Sequence, residues 1–447
     1  MSSEQTTKSL ALYIDAYKNR EVDFTYRKRK YKFALSHGLF SSASVDTGTS
    51  FLLKIFSNYL DSLELAENEG VSLLDAGCGT GVLGICAAGA LSALIKGRLK
   101  VHCQDRDALA QVFTEYNALL NDIGRDILSV STEALLAVKD PDRRWDIVLS
   151  NIPAKAGSAV LEDFVPRSIS LLKIEGSCRG KVFVVVVNTL ADFFRSQVNM
   201  NALLIQEVKG KEHSVFVYTK NEEITHNIKA LYMDDSFPLS FPFYIRKRAS
   251  YNIEKINYFL DSVYGASDFD SPGRDVIIAA KLAVKINLAE KLCSNERIES
   301  PILVHDAGQG HFALWLHGYL QAALPMLLAG RNILALSAAR AALSAAGRAC
   351  DFLTITDLSL EKERLSFYSN GFALICLFPD FIPGCRREAE MWEALAFLTA
   401  PGAFVIASMK SKDAPDFERK KKLSFVKLGE IKRDGFKALI FQKRLNK

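Results

Sequence analysis

The sequence feature that most constrains the fold is a glycine-rich turn near residue 80, within Val71-Ser-Leu-Leu-Asp-Ala-Gly-Cys-Gly-Thr-Gly-Val-Leu-Gly84. Apolar residues 71–74 predict a buried strand, and the apolar run Ile85 to Leu94 predicts a helix. Glycines between them carry no side chains, so a ligand can lie against the backbone where the helix begins. The alternative is a turn that only lets strand and helix pack closely. The segment predicts the start of an α/β fold.

An aspartate just before the glycines distinguishes between two kinds of ligand. Gly79, Gly81 and Gly84 fit the dinucleotide spacing G-x-G-x-x-G, but Asp75 ends the strand before them. A carboxylate there repels a pyrophosphate and suits a cationic amino-acid ligand, which is the pattern of S-adenosylmethionine (SAM) enzymes. We therefore predict SAM as the cofactor. The cofactor-binding residues predicted in this segment are Asp75, Gly77, Cys78, Gly79, Thr80 and Gly81.

Strands and helices alternate through the first half of the chain. After helix 51–63 and the glycine segment, the pattern predicts strands at 99–103, 128–130, 145–150 and 181–187, with helices at 108–120 and 161–172. This alternation predicts an open, mostly parallel sheet with helices on both faces. Ligands bind such sheets at the carboxyl ends of the strands. Asp75, Asp105 and Asn151 all fall at these ends.

Two further residues at strand ends are candidates for contact with the cofactor. Asp105 follows the second strand, where a carboxylate can accept both ribose hydroxyls. The alternative is that Asp105 caps the next helix. Thr132 or Glu133, at the end of the third strand, is placed to meet the adenine.

The segment Asn151-Ile-Pro-Ala follows the fourth strand and resembles the Asn-Pro-Pro-aromatic sequence of amino-group methyltransferases. There an Asn side-chain oxygen and the next backbone carbonyl accept the N–H bonds of a planar amine and direct its lone pair toward the methyl donor. The predicted catalytic residues are Asn151, Ile152 and Pro153. Ala154 stands where the aromatic residue is usual. The alternative is an Asn-containing turn.

The second half of the chain repeats the first. Asp306-Ala-Gly-Gln-Gly aligns with Asp75-Ala-Gly-Cys-Gly, and this alignment places Phe312 at Gly81, Ser337 at Asp105 and Phe378 at Asn151. Phe269-Asp-Ser-Pro-Gly273 resembles the segment before the first motif. We predict two similar α/β domains, the second without catalytic residues. The predicted boundaries are a basic N-terminal extension (1–32), a SAM-binding catalytic domain (33–220), a linker (221–245) and a degenerate domain (246–447).

Composition excludes several classes of protein. The 447 residues include 56 basic and 51 acidic side chains, a net charge of +5, which permits an anionic partner without requiring one. The eight cysteines are scattered without a C-x-x-C pair, which predicts a reducing environment and no metal site. The N-terminus lacks a signal-peptide pattern, and the longest apolar stretch (182–187) has only the length of a strand. We expect a cytoplasmic protein that contacts no membrane.

One segment has the pattern of a nucleic-acid contact. Residues 26–32, Tyr-Arg-Lys-Arg-Lys-Tyr-Lys, combine rings that can stack on bases with cations that can meet phosphates. The alternative is a solvated face. The predicted RNA-binding residues are Arg27, Lys28, Arg29, Lys30 and Lys32.

These motifs together resemble the bacterial ribosomal RNA guanine-N2 methyltransferases of the small methyltransferase-domain superfamily. That family has two tandem class I, Rossmann-like domains and the sequence Gly-x-Phe-Ser-x-x-x-x-Asp-x-Gly, present here as Gly38-Leu-Phe-Ser-x-x-x-x-Asp46-Thr-Gly48. Its acceptor sequence Asn-Pro-Pro-Phe-x-x-Gly matches residues 151–157. The resemblance implies SAM as cofactor and contacts from Phe40, Asp46 and Gly48. It implies the exocyclic amine of a guanine in structured RNA as acceptor, with ribosomal RNA as the expected partner. In that family the inactive domain comes first, whereas here it comes second.

Three functions follow as hypotheses. The first is a SAM-dependent RNA N-methyltransferase, which the basic segment favours. The second keeps SAM and Asn151 and changes the acceptor to a protein glutamine amide or a small-molecule amine. The third is a non-catalytic RNA-binding assembly protein, and retention of both Asp105 and Asn151 argues against it.

Overall fold

The computed structural model describes most of the chain and divides it into two compact units. The described residues are 3–40, 42–66, 69–153, 155–176, 180–224, 228–267, 270–293, 300–306, 308–321, 324–361 and 364–445. Unit 1 is Met1–Met233 and unit 2 is Asp234–Lys447. Phe269, named above for its resemblance to the first half, lies outside the described residues, as does Ala154.

Unit 1 contains a β-hairpin followed by alternating strands and helices. Its helices are α1 (Ser3–Tyr17), α2 (Thr47–Asp61), α3 (Val82–Ser92), α4 (Ala108–Leu120), α5 (Ser158–Ser170) and α6 (Asn188–Asn201). Its strands are β1 (Arg20–Tyr26), β2 (Arg29–Leu35), β3 (Val71–Ala76), β4 (Leu99–Asp105), β5 (Leu128–Thr132), β6 (Ile147–Asn151), β7 (Lys181–Val187), β8 (Leu203–Lys209) and β9 (His213–Thr219).

The seven-stranded sheet of unit 1 has the order β5-β4-β3-β6-β7-β9-β8. The strands from β5 to β7 are parallel, and β9 and β8 add antiparallel pairings at one end. Phe183 of β7 packs against Phe56 of α2, whereas Tyr218 of β9 packs against Phe194 of α6. Alternate residues of the strands therefore bury against helices on opposite faces, as the sequence predicts. The carboxyl ends of β3, β4, β5 and β6 meet at one edge.

The basic segment is the turn of the β1–β2 hairpin, and the hairpin packs into unit 1. Tyr31, Phe33 and Leu35 are each at most 1% exposed and share a core with α2 and α3. Arg27 and Lys28 form the two-residue turn, both with positive φ. The sequence predicts an extension over residues 1–32 ahead of the catalytic domain, and in the structure this hairpin packs within unit 1. Cations alternate with buried aromatic residues, since successive side chains of a strand face opposite sides.

Unit 2 repeats this order of elements. Its helices are α7 (Arg274–Lys285), α8 (Leu288–Cys293), α9 (His311–Leu320), α10 (Ile333–Ala345), α11 (Glu388–Leu398) and α12 (Ala414–Arg419), with short 3₁₀ turns at Pro242–Tyr244 and Ser366–Tyr368. Its strands are β10 (Ile245–Ile253), β11 (Ile256–Val263), β12 (Ile302–His305), β13 (Met326–Gly330), β14 (Asp351–Thr354), β15 (Phe372–Leu377), β16 (Thr399–Lys410), β17 (Phe425–Arg433) and β18 (Phe436–Lys443). Among the described residues of either unit, no helix combines the length and apolarity needed to cross a bilayer.

The sheet of unit 2 has the order β14-β13-β12-β15-β16-β18-β17, which matches unit 1 position by position. The hairpin β10–β11 corresponds to β1–β2, and its two-residue turn, Glu254-Lys255, again has positive φ at both positions. The two halves of the chain are therefore tandem domains of the same α/β architecture.

The strand pairing corrects the alignment of the two glycine motifs by two residues. The amide of Gly77 donates to the carbonyl of Gln104, and the corresponding bond in unit 2 is from Asp306 to Ala329. Positive φ angles at Gly77, Gly79 and Gly81 are matched at Asp306, Gly308 and Gly310. Asp306 therefore occupies the position of Gly77, and Gly310, rather than Phe312, occupies that of Gly81. The sequence alignment was wrong here because it matched identical letters, whereas the two turns have the same spacing and the Asp-Ala-Gly letters are offset by two residues relative to the strands.

In the corrected alignment, unit 2 still has no polar residue at the positions of Asp75, Asp105 and Asn151. The position of Asp75 is Val304, and that of Asp105 is Gly330 rather than Ser337, which lies inside α10. Phe378 follows β15 as Asn151 ends β6, and its amide bonds to the carbonyl of His305. The Phe378 ring packs 4.9 Å from that of Phe312. Unit 2 thus lacks all three polar side chains and fills part of the space with aromatic rings.

Candidate active site

The glycine turn at the carboxyl end of β3 has the backbone that its sequence predicts. Gly77, Gly79 and Gly81 have φ of 80°, 56° and 84°, which glycine adopts without steric cost. A Cβ added to Gly79 would meet no atom within 4 Å, so open space lies in front of the turn. At Gly81 a Cβ would lie 2.7 Å from Cγ2 of Thr114. Gly79 therefore leaves room for a ligand, and Gly81 lets α4 approach.

Most amides of the turn are bonded within the protein. Those of Gly77 and Cys78 donate to the carbonyl of Gln104, and that of Gly81 donates to the carbonyl of Cys78. The amide of Gly79 donates to Oδ2 of Asp105. The turn therefore offers a ligand mainly an uncrowded backbone surface. The four amides named are thus already bonded within the protein.

Asp75 is a fully buried carboxylate behind the turn. Its Oδ2 accepts the amide of Gly84 at 2.8 Å, and its Oδ1 is buried without a hydrogen-bond partner among the described residues. Burial raises the pKa of Asp75 to about 7. A Cβ on Gly84 would lie 3.0 Å from Oδ2 of Asp75 and 2.4 Å from Sγ of Cys103. Gly84 therefore serves close packing on Asp75 and not a dinucleotide.

Asp105 connects the end of β4 to the glycine turn. Its Oδ2 accepts the amide of Gly79 at 3.0 Å, and its Oδ1 accepts the amide of Asp107 at 3.0 Å. Asp107, and not Asp105, caps α4 by accepting the amide of Leu109. Burial raises the pKa of Asp105. Thr132, at the end of β5, donates to the side chain of Gln111 at 2.8 Å. These positions leave the ribose and adenine roles as predictions.

Asn151 is fixed in one orientation at the carboxyl end of β6. Its Nδ2 donates to Oδ2 of Asp46 at 2.9 Å and to Oγ1 of Thr49 at 3.0 Å. A carboxylate only accepts, so the amide nitrogen must face Asp46. The other amide atom, Oδ1, has no hydrogen bond to any described residue and is left as an acceptor. Asp46 also caps α2 by accepting the amide of Thr49 at 3.0 Å.

The residues around Asp46 explain its sequence block. A Cβ on Gly48 would lie 2.9 Å from Oδ2 of Asp46 and 3.0 Å from the ring of His213, so this position needs glycine. The sequence assigned Asp46 and Gly48 to the cofactor, whereas the structure places both beside Asn151. Phe40 is 72% exposed, and its predicted contact with the cofactor stays a prediction.

The rest of the acceptor segment is partly buried. Ile152 is 3% exposed, and its amide donates to the carbonyl of Val185 at 3.3 Å, which fixes the backbone after Asn151. The carbonyl of Pro153 accepts the amide of Ala156. Gly157, with a φ of 96°, begins α5. The segment is therefore a turn that connects β6 to α5 and holds Asn151 at its start.

Two of the five predicted RNA-binding residues bond within unit 1. Arg27 forms an ion pair with Asp61 at 2.7 Å, and Arg29 donates to the carbonyl of Asn121. Lys28, Lys30 and Lys32 are exposed in the hairpin, and Lys32 lies 3.8 Å from Glu21. The arginines thus fasten the hairpin to the domain, which leaves the lysines as the cations available to a partner.

The sequence interpretation missed the polar face of α4, which holds the turn in place. Thr114 donates to the carbonyl of Gly79 at 3.1 Å. Asn117 donates to the carbonyls of Thr80 and Ala34 and accepts the amide of Ala34. Polar residues three to four apart on the buried side of a helix are a signal that could have indicated this role.

Comparisons with known proteins relate this chain to methyltransferases. Residues 30–205 match the family model described as "Methyltransferase small domain". The chain is 36% identical over 119 residues to a ribosomal protein L11 methyltransferase of Parasynechococcus marenigrum (strain WH8102), covering 26% of this chain and 38% of the relative. It is 40% identical over 95 residues to that of Methylococcus capsulatus, covering 21% and 29%. The matches thus span 38% and 29% of the length of these two relatives.

A solved structure covers both units. It is the T. thermophilus 16S rRNA N2 G1207 methyltransferase (RsmC) in complex with AdoMet and guanosine, with a TM-score of 0.60 at 16% identity. The match covers 96% of this chain and 100% of that one. At this identity the likeness shows the fold, which is two tandem Rossmann-like domains.

Proposed function

We propose that this chain, whose residues 30–205 match the methyltransferase small domain, is a SAM-dependent N-methyltransferase whose acceptor is a guanine exocyclic amine in ribosomal or other structured RNA. One observation carries the proposal. The Asn151 amide is held by Asp46 and Thr49 with Oδ1 left as an acceptor, at the sheet edge that also carries Asp75 and Asp105. A planar amino group is the acceptor that this oxygen suits.

The residues of unit 1 fit the cofactor. Gly79 leaves open space before the turn, and the buried Oδ1 of Asp75 lacks a partner, so a cationic amino-acid end would find an uncompensated carboxylate there. Asp105 would meet the ribose hydroxyls. When bound, SAM supplies a methyl group on a positively charged sulfur.

The acceptor side is the work of Asn151 and Ile152. Oδ1 of Asn151 and the carbonyl of Ile152 each accept one N–H bond of the planar amino group, so the nitrogen lone pair points out of that plane toward the methyl group. The N–C bond forms as the S–C bond breaks, and the amine then releases a proton to solvent. The role of the protein is positioning, because two fixed oxygens hold the nitrogen in line.

A second acceptor has specific support. The curated relatives are named ribosomal protein L11 methyltransferases, so a protein amine is the alternative substrate. Single-turnover transfer of labelled methyl from SAM tests both, with ribosomal RNA and ribosomal proteins from a strain that lacks this protein. Label in an N2-methylguanine nucleoside supports the proposal, and label confined to protein selects the alternative. Label in neither fraction points to the non-catalytic hypothesis.

SAM should bind at one site per chain, in unit 1. Asp105→Ala should weaken binding by roughly 1.5–3 kcal/mol, the range for hydrogen bonds to a charged group. Calorimetry on the full chain measures both values. Asp107→Ala is the matched control, since it removes the α4 cap two residues away and should leave SAM affinity nearly unchanged. A second site, or an unaffected Asp105→Ala variant, would contradict this assignment.

The hairpin lysines should supply RNA affinity without sequence preference. Changing Lys28, Lys30 and Lys32 to Gln should flatten the dependence of log affinity on log salt by about 0.7–0.9 per lost phosphate contact. Filter binding at several salt concentrations measures this slope. Lys54→Gln, at an exposed position of α2, is the control. An unchanged slope in the triple variant would show that these lysines are only solvated.

A further inference from the structure

Unit 2 contains a cavity that the proposed function leaves unused. It has a volume of about 390 Å³ and lies between the β10–β11 hairpin and the C-terminal halves of α9 and α10. Asp306, at the position that corresponds to the glycine turn, precedes the N-terminus of α9 and is not part of its wall. The cavity is therefore separate from the degenerate cofactor position. Its size is in the range of small-molecule sites.

One wall of the cavity exists because α10 has lost its large side chains. Helices α4 and α10 each have 13 residues, each after a side-chain N-cap (Asp107 and Asn332), which aligns them residue by residue. The positions of Phe113, Tyr116, Asn117 and Leu120 in α4 are Ala338, Ala341, Ala342 and Ala345 in α10. All four alanines line the cavity.

The hairpin shows the opposite change at the facing position. Counting from the two-residue turns, Ala34 corresponds to Asp261. In unit 1, Asn117 bonds to both backbone groups of Ala34 and closes the space. In unit 2, Ala342 stands at the position of Asn117, and Asp261 stands at the position of Ala34. Unit 2 therefore lacks the side-chain amide that fills this space in unit 1, and it has a carboxylate on the wall of the cavity.

The carboxylate is only partly compensated. Nε of Arg248, its cross-strand neighbour, lies 3.5 Å from Oδ2 of Asp261. Oδ1 is buried and has no hydrogen-bond partner among the residues described. Burial raises the pKa of Asp261, which is the cost of a carboxylate kept where water is scarce. The ring of Phe259, 53% exposed, lies on the same wall.

We propose that this cavity binds an unpaired guanine base. Guanine presents an acceptor (O6) beside two adjacent donors (N1–H and the N2 amine) on one edge. Arg248 can donate to the first, and the carboxylate of Asp261 can accept from the other two. Adenine, cytosine and uracil each place an acceptor where a second donor is needed. The alanine face of α10 and the Phe259 ring suit the flat sides of the base.

This inference deepens the proposed function, because a guanine held in unit 2 would be a second contact with the RNA substrate. It does not require methyl transfer. GMP is therefore the probe, titrated into the full chain without SAM, with AMP, CMP and IMP for comparison. All titrations use the Asn151→Ala variant, in which nucleotide binding at the acceptor site of unit 1 is weakened. Calorimetry then reports the binding of nucleotide to the cavity of unit 2.

GMP should bind more tightly than AMP or CMP, and Asp261→Asn should weaken it about ten- to a hundredfold, as for a lost charge-assisted pair. IMP, which lacks the N2 amine, should fall between. Ala341→Leu, at a half-exposed wall position, should also block binding by filling the cavity. Lys255→Gln, in the exposed hairpin turn, is the control. Unchanged melting temperatures establish that the variants fold.

Equal affinity for all four nucleotides would overturn the proposal, as would GMP binding that survives both Asp261→Asn and Ala341→Leu. GMP binding that depends on Asp261 in a chain without transferase activity would keep this site and refute only the proposed function.

Discussion

Replacing Asn151 with alanine should slow methyl transfer by about a hundred- to a thousandfold, if its oxygen contributes as much as one oxyanion-hole donor. SAM affinity should stay nearly unchanged, because Asn151 acts on the acceptor. A contact made mainly in the transition state lowers kcat and kcat/KM together. Single-turnover transfer to RNA measures the rate, and calorimetry measures SAM binding.

The structure supplies a second variant for the same test. Asp46→Ala removes a partner of Asn151 Nδ2, so the amide loses its fixed orientation while Oδ1 remains. Its transfer rate should fall between those of the parent and Asn151→Ala. Asn188→Ala is the matched control, since this Asn follows the neighbouring strand β7 and bonds to the carbonyls of Gly210 and Lys211. If Asn151→Ala transferred methyl at the parental rate, the segment that begins at Asn151 would have no catalytic role.

The second large effect concerns stability and pH. In the folded chain the pKa of Asp75 is raised from 3.8 to about 7, so the unfolded chain loses this proton first as pH rises. The free energy of unfolding should therefore fall between pH 4 and pH 7, by about 4 kcal/mol from this group, and stay low above pH 7. Asp75→Asn keeps the shape without the charge and should lack this decrease.

The change in the free energy of unfolding between pH 5 and pH 8 can be measured by urea-dependent hydrogen exchange. The relevant peptides cover β3 and α3, and their rates are corrected for intrinsic exchange. The variant should be more stable than the parent at pH 8 and similar near pH 4. Peptides from β12 and α9 are the internal control, because Val304 occupies the corresponding position. Equal pH dependence in parent and variant would show that Asp75 ionises normally.

The sequence predicted the sheet of unit 1 well because its strands are continuous apolar runs. Lys181–Val187 and Ala108–Leu120 have the predicted bounds, and Asp75, Asp105 and Asn151 meet at one edge as expected. The elements of unit 1 that it did not place are α1, the β1–β2 hairpin, α6, β8 and β9. Strand β8 lies at the edge of the sheet and is mostly exposed, so its residues lack a buried pattern.

The site was harder to predict, because side-chain partners far apart in sequence do not follow from spacing. Asp46 and Asn151 are 105 residues apart, and neither spacing nor periodicity indicates that they pair. The structural roles of Arg27 and Arg29 could not be predicted either, because their partners Asp61 and Asn121 are also distant in sequence. A cluster of cations resembles a nucleic-acid contact whether or not acidic and carbonyl partners lie nearby. The repeat was visible, but only strand pairing could fix its register.

The double bonding of Asp46 has a consequence for anyone who diversifies this protein in the laboratory. One carboxylate oxygen both starts α2 and sets the amide of Asn151. Selection for thermal resistance alone would therefore disfavour loss of the side chain that also orients Asn151, even in a library never assayed for transfer. A replacement that removes this carboxylate should lower both the stability of α2 and the rate of transfer, so the two properties are coupled at this position.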